Sequence, residues 1–202
     1  MKSENFSEVY RHSMAHILAK AMVEIFGKEN VQLAIGPQID DGFYYDFLLP
    51  RTLTPEDFSV IENKMTEIMK RKETFAYREV SKEDALAEFE GQKYKIELIN
   101  DLGSDETISI YDTGDDFKDL CRGPHVANSS ELLSCAFKIK SVSAAYWRGS
   151  EKNDILQRIY VMAFENKEDL KAHLAFLQEA KERDHKVLGP QLDLFFMDPT
   201  AP

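Results

Sequence analysis

The stretch "SEVYRHSMAHILAKAMVEIF", Ser7 to Phe26, decides how the rest of the chain is read. Val9, Ile17, Leu18, Ala21, Met22, Ile25 and Phe26 recur at helical spacing, and Gly27 ends the run. A helix here sets His12 and His16, at i and i+4, one turn apart on one face. Further on, "DLCRGPHVAN" gives Cys121 and His125 the same spacing. Gly123 and Pro124 lie between them and break any regular helix, so a tight loop must present this second pair.

A helix-borne pair facing a loop-borne pair yields three imidazoles and one thiol, a donor set suited to zinc. The protease pattern with Glu after the first His is excluded, because Ser13 stands there. Several readings stay open. Four ligands on one ion close the tetrahedron and make it structural, whereas a catalytic ion needs a position for water. Without metal, the same groups can orient a water and relay protons. Cys121 as a small buried hydrophobe, with His12 on the wet face of its helix, is the plain structural alternative.

The 202 residues suffice for one large domain or one domain with an appendage. With 43% hydrophobic and 30% charged residues the composition is that of an ordinary globular protein. No run approaches the roughly 20 apolar residues of a membrane span, so no membrane partner is expected. "MKSENFSEVY" lacks the apolar segment of a signal peptide, which makes a cytoplasmic location the expectation. Two cysteines without a secretory signal point to reduced thiols. The net charge of −11 argues against a protein that grips a long nucleic acid by its phosphates, so any contact with RNA should be small and local.

Beyond the first helix, "VQLAI" reads as a strand, "GPQIDDG" as a turn and "FYYDF" as an aromatic strand. "TPED", with Thr54 as N-cap and Pro55 at the first helical position, opens a helix to about Lys72. "FAYREV" is a strand, and Ser81 to Asp84 resembles a capping box. "TISIYD" is another strand, followed by a turn over Gly114 to Asp116. "CAFKIKSV" alternates, with Cys135, Phe137 and Ile139 on one face and Lys138 and Lys140 on the other. "ILQRIYVMAF" is a long apolar strand. Asn166 caps a helix from about Lys167 to Val187, with a stripe of Leu170, Leu174, Leu177 and Ala180. The tail "LGPQLDLFFMDPTAP" carries Leu192, Leu194, Phe195 and Phe196 and reads as the start of a further domain.

"RHSMAHILAKA", "AIGPQIDDGFYYDF", "DLCRGPHV", "AAYWRG", "LQRIY" and "KERDHKVLGPQLDLFFMDPTAP" together closely resemble bacterial threonyl-tRNA synthetases, from about Tyr10 to the end. The resemblance implies an α+β editing domain over residues 1–165, with a mostly antiparallel sheet packed with helices. It implies a linker helix over residues 166–190 and the start of a truncated class II catalytic domain over residues 191–202. The implied activity is hydrolysis of mischarged seryl-tRNA(Thr). A site built around the threonine hydroxyl rejects valine, but serine lacks only a methyl. That difference is worth about 1–3 kcal/mol, so a second sieve is needed.

By resemblance His12, His16, Cys121 and His125 form the hydrolytic centre and could hold zinc. Asp119 would recognise the substrate's amino or hydroxyl group, and Lys95 in "KYKIEL" the reacting ester or the terminal ribose. In that scheme water held by His12 and Cys121 attacks the carbonyl, Lys95 stabilises the developing charge, and His16 or His125 protonates the leaving 3′-oxygen. Lys138, Lys140 and Arg148 could meet phosphates of the acceptor end, with Tyr146 and Trp147 stacking on its bases. The expected partners are the 3′ end of tRNA(Thr) and the remaining domains of the synthetase, a homodimer at full length. ATP and magnesium belong to that longer enzyme's ligase reaction and are not expected to act here. The alternatives are a free-standing deacylase of the alanyl kind and a non-catalytic module with a structural zinc.

Overall fold

The structure is a computed structural model that describes residues 4–103 and 106–183. In its opening helix α1, Glu4–Phe26, all of residues 13–22 are buried, so this stretch is enclosed on every side. A helix of that kind belongs in the middle of a protein rather than on its surface. Only Ser13, His16 and Lys20 interrupt the apolar run, on one helical stripe.

Two antiparallel sheets enclose α1. The larger is built from β1 (Gln32–Leu33), β2 (Gln38–Ile39), β3 (Gly42–Leu48), β7 (Ala136–Tyr146) and β8 (Ile155–Phe164). Its order is β1-β3-β8-β7, with β2 also pairing to β3. The smaller has the order β4-β5-β6, from Phe75–Val80, Ile108–Thr113 and Phe117–Leu120. Helix α2 (Pro55–Lys70) and a 3-10 turn at Ser129–Ser134 pack on α1 from the remaining sides. The main core joins Met14, Ile17, Leu18 and Met22 of α1 to Phe43 and Phe47 of β3, Ile61 and Met65 of α2, and Ile159 and Val161 of β8. Helices α3 (Lys82–Glu88) and α4 (Lys93–Asp101) cover one face of the small sheet through Ala85, Phe89, Ile99, Ile108 and Ile110. The opposite face of that sheet, with Tyr111, Phe117 and Asp119, meets the histidines of α1 and the following loop.

The α+β class read from the sequence is the class observed. Thr54 and Asp57 form a reciprocal capping box at α2. Ser81 accepts from the Asp84 amide, and Asn166 from the Asp169 amide. Several details differ. "VQLAI" shortens to the two residues of β1, and the expected turn contains β2. Helix α4 has no counterpart in the sequence reading: Gln92 at its N-cap makes no side-chain cap bond, so no local start signal exists. Helix α5, Lys167–Glu182, has no buried residue, and Leu174 is 39% exposed, so its leucine stripe is not covered. The rest of the proposed linker and residues 191–202 lie outside the described residues. Among the described residues, no helix is long and apolar enough to cross a membrane.

Gly42, where the β2–β3 turn becomes strand, shows how closely the large sheet is drawn together. A Cβ there would lie 1.9 Å from the Val161 carbonyl oxygen of β8. Gly42→Ala should therefore cost about 1–3 kcal/mol or more by overpacking. Urea unfolding checks this, and an unchanged midpoint would show that β3 and β8 do not approach so closely.

Candidate active site

β6 and the loop after it bring the two halves of the cluster together. The loop turns at Gly123, where φ is 70°, a value that favours glycine. A Cβ at Gly123 would also lie 2.5 Å from the Tyr111 hydroxyl. Val126 N–H donates to Ser13 Oγ at 3.0 Å, which pins the loop onto α1 between the two histidines. Ser13 Oγ also stands 3.1 Å from His125 Nδ1. Ser13, informative in the sequence only for excluding a protease, is thus the loop's anchor. The His125 ring stacks on Phe75 and meets Tyr111 edge-on, at 5.1 and 4.4 Å between centroids.

His12, His16, Cys121 and His125 converge, one potential ligand atom from each lying within 4.8 Å of all the others. Cys121 Sγ is 3.1 Å from both His12 Nε2 and His125 Nε2. A tetrahedral zinc with one sulfur and three nitrogens would place its donors about 3.3–3.6 Å apart, given its usual bond lengths. The two sulfur distances are slightly shorter than that spacing, and all four donors lie within 4.8 Å of one another. His16 Nδ1 is buried without a hydrogen-bond partner, as expected of a nitrogen that has another use. Donor types, spacing and this orphaned nitrogen all fit a zinc-type ion.

Beside the cluster lies a second buried group. Lys95, from α4, forms an ion pair with Asp119, and each is about 3% exposed. The Tyr45 hydroxyl donates to Asp119 Oδ2 at 2.6 Å, and Lys95 Nζ lies 3.2 Å from the same hydroxyl. Asp119 Oδ1 accepts from the Leu120 amide, and His16 Nε2 is 3.9 Å from Oδ2. The carboxylate is thereby held by its neighbours on every side that these contacts reach. Tyr45 was missed by sequence reasoning. Period-two alternation in "FYYDF" puts Phe43, Tyr45 and Phe47 on the inward face, and a buried phenol needs a partner.

Desolvation governs the ionisation of this site. Burial lowers the pKa of His12, opposed by the Asp119 charge and by a hydrogen bond to the Pro124 backbone. Burial first, then His12 and Lys95, push His16 well below the usual range. His125 is lowered chiefly by burial as well, with His16 and His12 adding to the effect. The Cys121 thiol is pushed up to about 12, mainly by burial, although the Gly123 N–H donates to its sulfur. At neutral pH the three imidazoles are neutral and the thiol keeps its proton. Tyr45 is raised by burial and then by Asp119, so it stays a donor.

A groove of about 230 Å³ meets the cluster at Cys121 and is otherwise lined by Leu98 of α4, Leu102 just after it, Ile108 and Ser109 of β5, and Leu120 and Arg122.

The residues expected to meet RNA do not gather at this site. Lys138 pairs with Glu62 and Lys140 with Asp41, each at 3.0 Å. Arg148 pairs with Asp101 and lies over the Trp147 ring. Trp147 is 5% exposed, packs on Tyr94 and donates to Glu97. Tyr146 alone among the five is an uncovered aromatic, 43% exposed.

Comparison with known proteins meets this geometry at the same residues. Residues 108–160, which span β5, β6, the loop, β7 and part of β8, match the family described as the second additional domain of threonyl and alanyl tRNA synthetases. A threonine–tRNA ligase of Thermotoga neapolitana is 51% identical over 95% of this chain. One of Dehalococcoides mccartyi is 52% identical over 93%, and one of Teredinibacter turnerae 48% identical over 100%. The chain spans only 29–31% of the length of these relatives. In sequence, therefore, the chain is similar to about three-tenths of these ligases, and its residues 108–160 to the second additional domain of threonyl and alanyl tRNA synthetases.

Proposed function

We propose that this site edits tRNA charging by hydrolysing the aminoacyl ester of seryl-tRNA(Thr). The observation that carries the reading is the convergence of three imidazoles and a thiol against a buried Lys95–Asp119–Tyr45 group, inside a segment related to threonine–tRNA ligases.

The step needs a water, a proton acceptor and a cation near the carbonyl oxygen. His12 is the acceptor: it is neutral, less buried than His16, and hydrogen-bonded to the Pro124 backbone. Water attacks the ester carbonyl carbon, and its proton goes to His12 Nε2. Lys95 balances the charge that builds on the carbonyl oxygen. The carbonyl–oxygen bond to the ribose then breaks, and the leaving 3′-oxygen takes the proton, giving serine and free tRNA. His16 is too deeply buried for the donor role expected of it and serves better as packing, its ring lying 4.2 Å from that of His125 between centroids. Cys121, with its thiol protonated, orients water rather than attacking. Zinc held by all of His12, His16, Cys121 and His125 would close its tetrahedron and favour the thiolate over the thiol, and only with one of the four released would it supply Lewis acidity. The groove along Leu98 and Leu102 is suited to the terminal nucleoside, whose flat apolar faces match it. Serine would be separated from threonine by a pocket too tight for the extra methyl, worth about 1–3 kcal/mol. tRNA(Thr) itself would be held mainly by the other domains of a full-length synthetase.

Incubating the chain with seryl-, threonyl- and alanyl-tRNA should show hydrolysis of the seryl ester in preference. His12→Ala and Cys121→Ala should each slow it by roughly 100-fold or more. Undiminished rates in both variants would sink the proposal, and a preference for the alanyl ester would move the chain to the free-standing deacylase class.

Titration with zinc or cobalt should give one ion per chain. Cobalt should show the absorption of a thiolate ligand, which Cys121→Ala abolishes, with affinity falling roughly 10- to 100-fold or more. Identical uptake by a Cys121→Ala/His125→Ala double variant would rule out this ligand set.

A further inference from the structure

Lys20 is a buried cation with no part in the hydrolysis described above. It is 1% exposed, yet its ammonium is fully engaged, donating to Glu73 Oε2 at 2.6 Å, Asp116 Oδ1 at 2.5 Å and the Thr113 carbonyl at 3.0 Å. These acceptors come from the segment before β4, from the β5–β6 turn and from the end of β5. Lys20 also continues the row of His12 and His16 at intervals of four residues, about 6 Å per step along the helix.

The partners of that row fall in reverse order on the neighbouring strand. His12 meets Cys121 just after β6, His16 faces Asp119 within it, and Lys20 pairs with Asp116 just before it. α1 and β6 thus run antiparallel with three matched polar contacts. Apolar packing is non-directional and discriminates weakly among rotations and axial positions of a buried helix, whereas each paired polar group has one partner position. The polar stripe therefore sharpens both, and Lys20 supplies its three-acceptor end. Gly114 is shaped to it: with φ at 66°, a Cβ there would come within 2.9 Å of the Glu73 carboxyl and 3.1 Å of Lys20 Nζ.

We infer that Lys20 is a positioning residue, whose clamp on Glu73, Asp116 and Thr113 sets the register of α1 against β6 and so brings His12 and His16 to Cys121 and Asp119. The inference rests on the proposed site but not on its substrate.

Lys20→Met removes the ammonium and with it the clamp, while keeping an unbranched side chain that reaches almost as far. The control is Arg78→Met, which breaks the Arg78 pairs with Glu88 and Asp112 on the far face of the same sheet. Two quantities are compared: the imidazole 15N spectra of His12, His16 and His125, and kcat and KM for seryl-tRNA deacylation. In Lys20→Met the imidazole signals should move toward those of free histidine, and kcat should fall at least tenfold with KM within twofold. Arg78→Met should lower the thermal midpoint while leaving the spectra and kcat within twofold of the parent. If Lys20→Met does not fold, Gly114→Ala crowds the clamp without removing a charge and is judged in the same way. Parent-like imidazole spectra and kcat in a folded clamp variant would overturn the inference. Failure of the parent to hydrolyse any aminoacyl-tRNA would instead defeat the proposed function, and the spectra would still decide the role of Lys20.

Discussion

The molecule depends on keeping three polar side chains inside the buried stretch of one helix. Ser13, His16 and Lys20 stand among ten consecutive buried residues of α1. Each buried polar group needs a partner or costs on the order of 1–3 kcal/mol. The partners of Ser13 and Lys20 all lie on the small sheet, its approaches or the loop that follows it, apart from the local Val9 carbonyl. The hydrophobic effect brings α1 to the centre, and these bonds decide how it is turned there. The geometry of the site is therefore a consequence of core polarity and not an addition to a finished fold.

Burial that is costly for the fold is useful for the chemistry. Without desolvation the histidines would titrate near their ordinary values and the thiol would ionise more readily; with it, the imidazoles stay neutral and the thiol protonated. One ion pair, Lys95–Asp119, is nevertheless retained in the same interior, with Tyr45 donating to the carboxylate. Taking two charges out of water is expensive, and removing either partner alone is more so. A pair kept at that cost beside neutral bases resembles an arrangement for stabilising charge that appears during a reaction.

Legibility in the sequence followed the range of the forces involved. Caps at Thr54, Ser81 and Asn166 act over three residues, and each element they open was readable. Helix α4 lacks such a cap and went unread, although it delivers Lys95. Period-two alternation would have pointed Tyr45 inward, while its partner Asp119 lies 74 residues away and leaves no local trace. The converging histidines and cysteine were legible as two matched spacings, with the break at Gly123–Pro124 supplying the loop. The basic residues from Lys138 to Arg148 show the same limit: composition reveals a cation but not the carboxylate it faces in the fold.

Those neutralised cations bear on how the site would be used. A chain with a net charge of −11, whose Lys138, Lys140 and Arg148 are paired with acids, offers little counterion release to draw in RNA. On the proposed function, the groove beside Cys121 would take the terminal nucleoside. Weak attraction for the rest of the RNA is then an advantage. A correcting site that held the acceptor end tightly would compete with synthesis, whereas one reached through a tether samples the end at high effective concentration and releases it quickly. Selectivity then rests on the ester and its side chain inside the buried cluster. That is why the register of α1 against β6 matters more to this site than any basic patch on its surface.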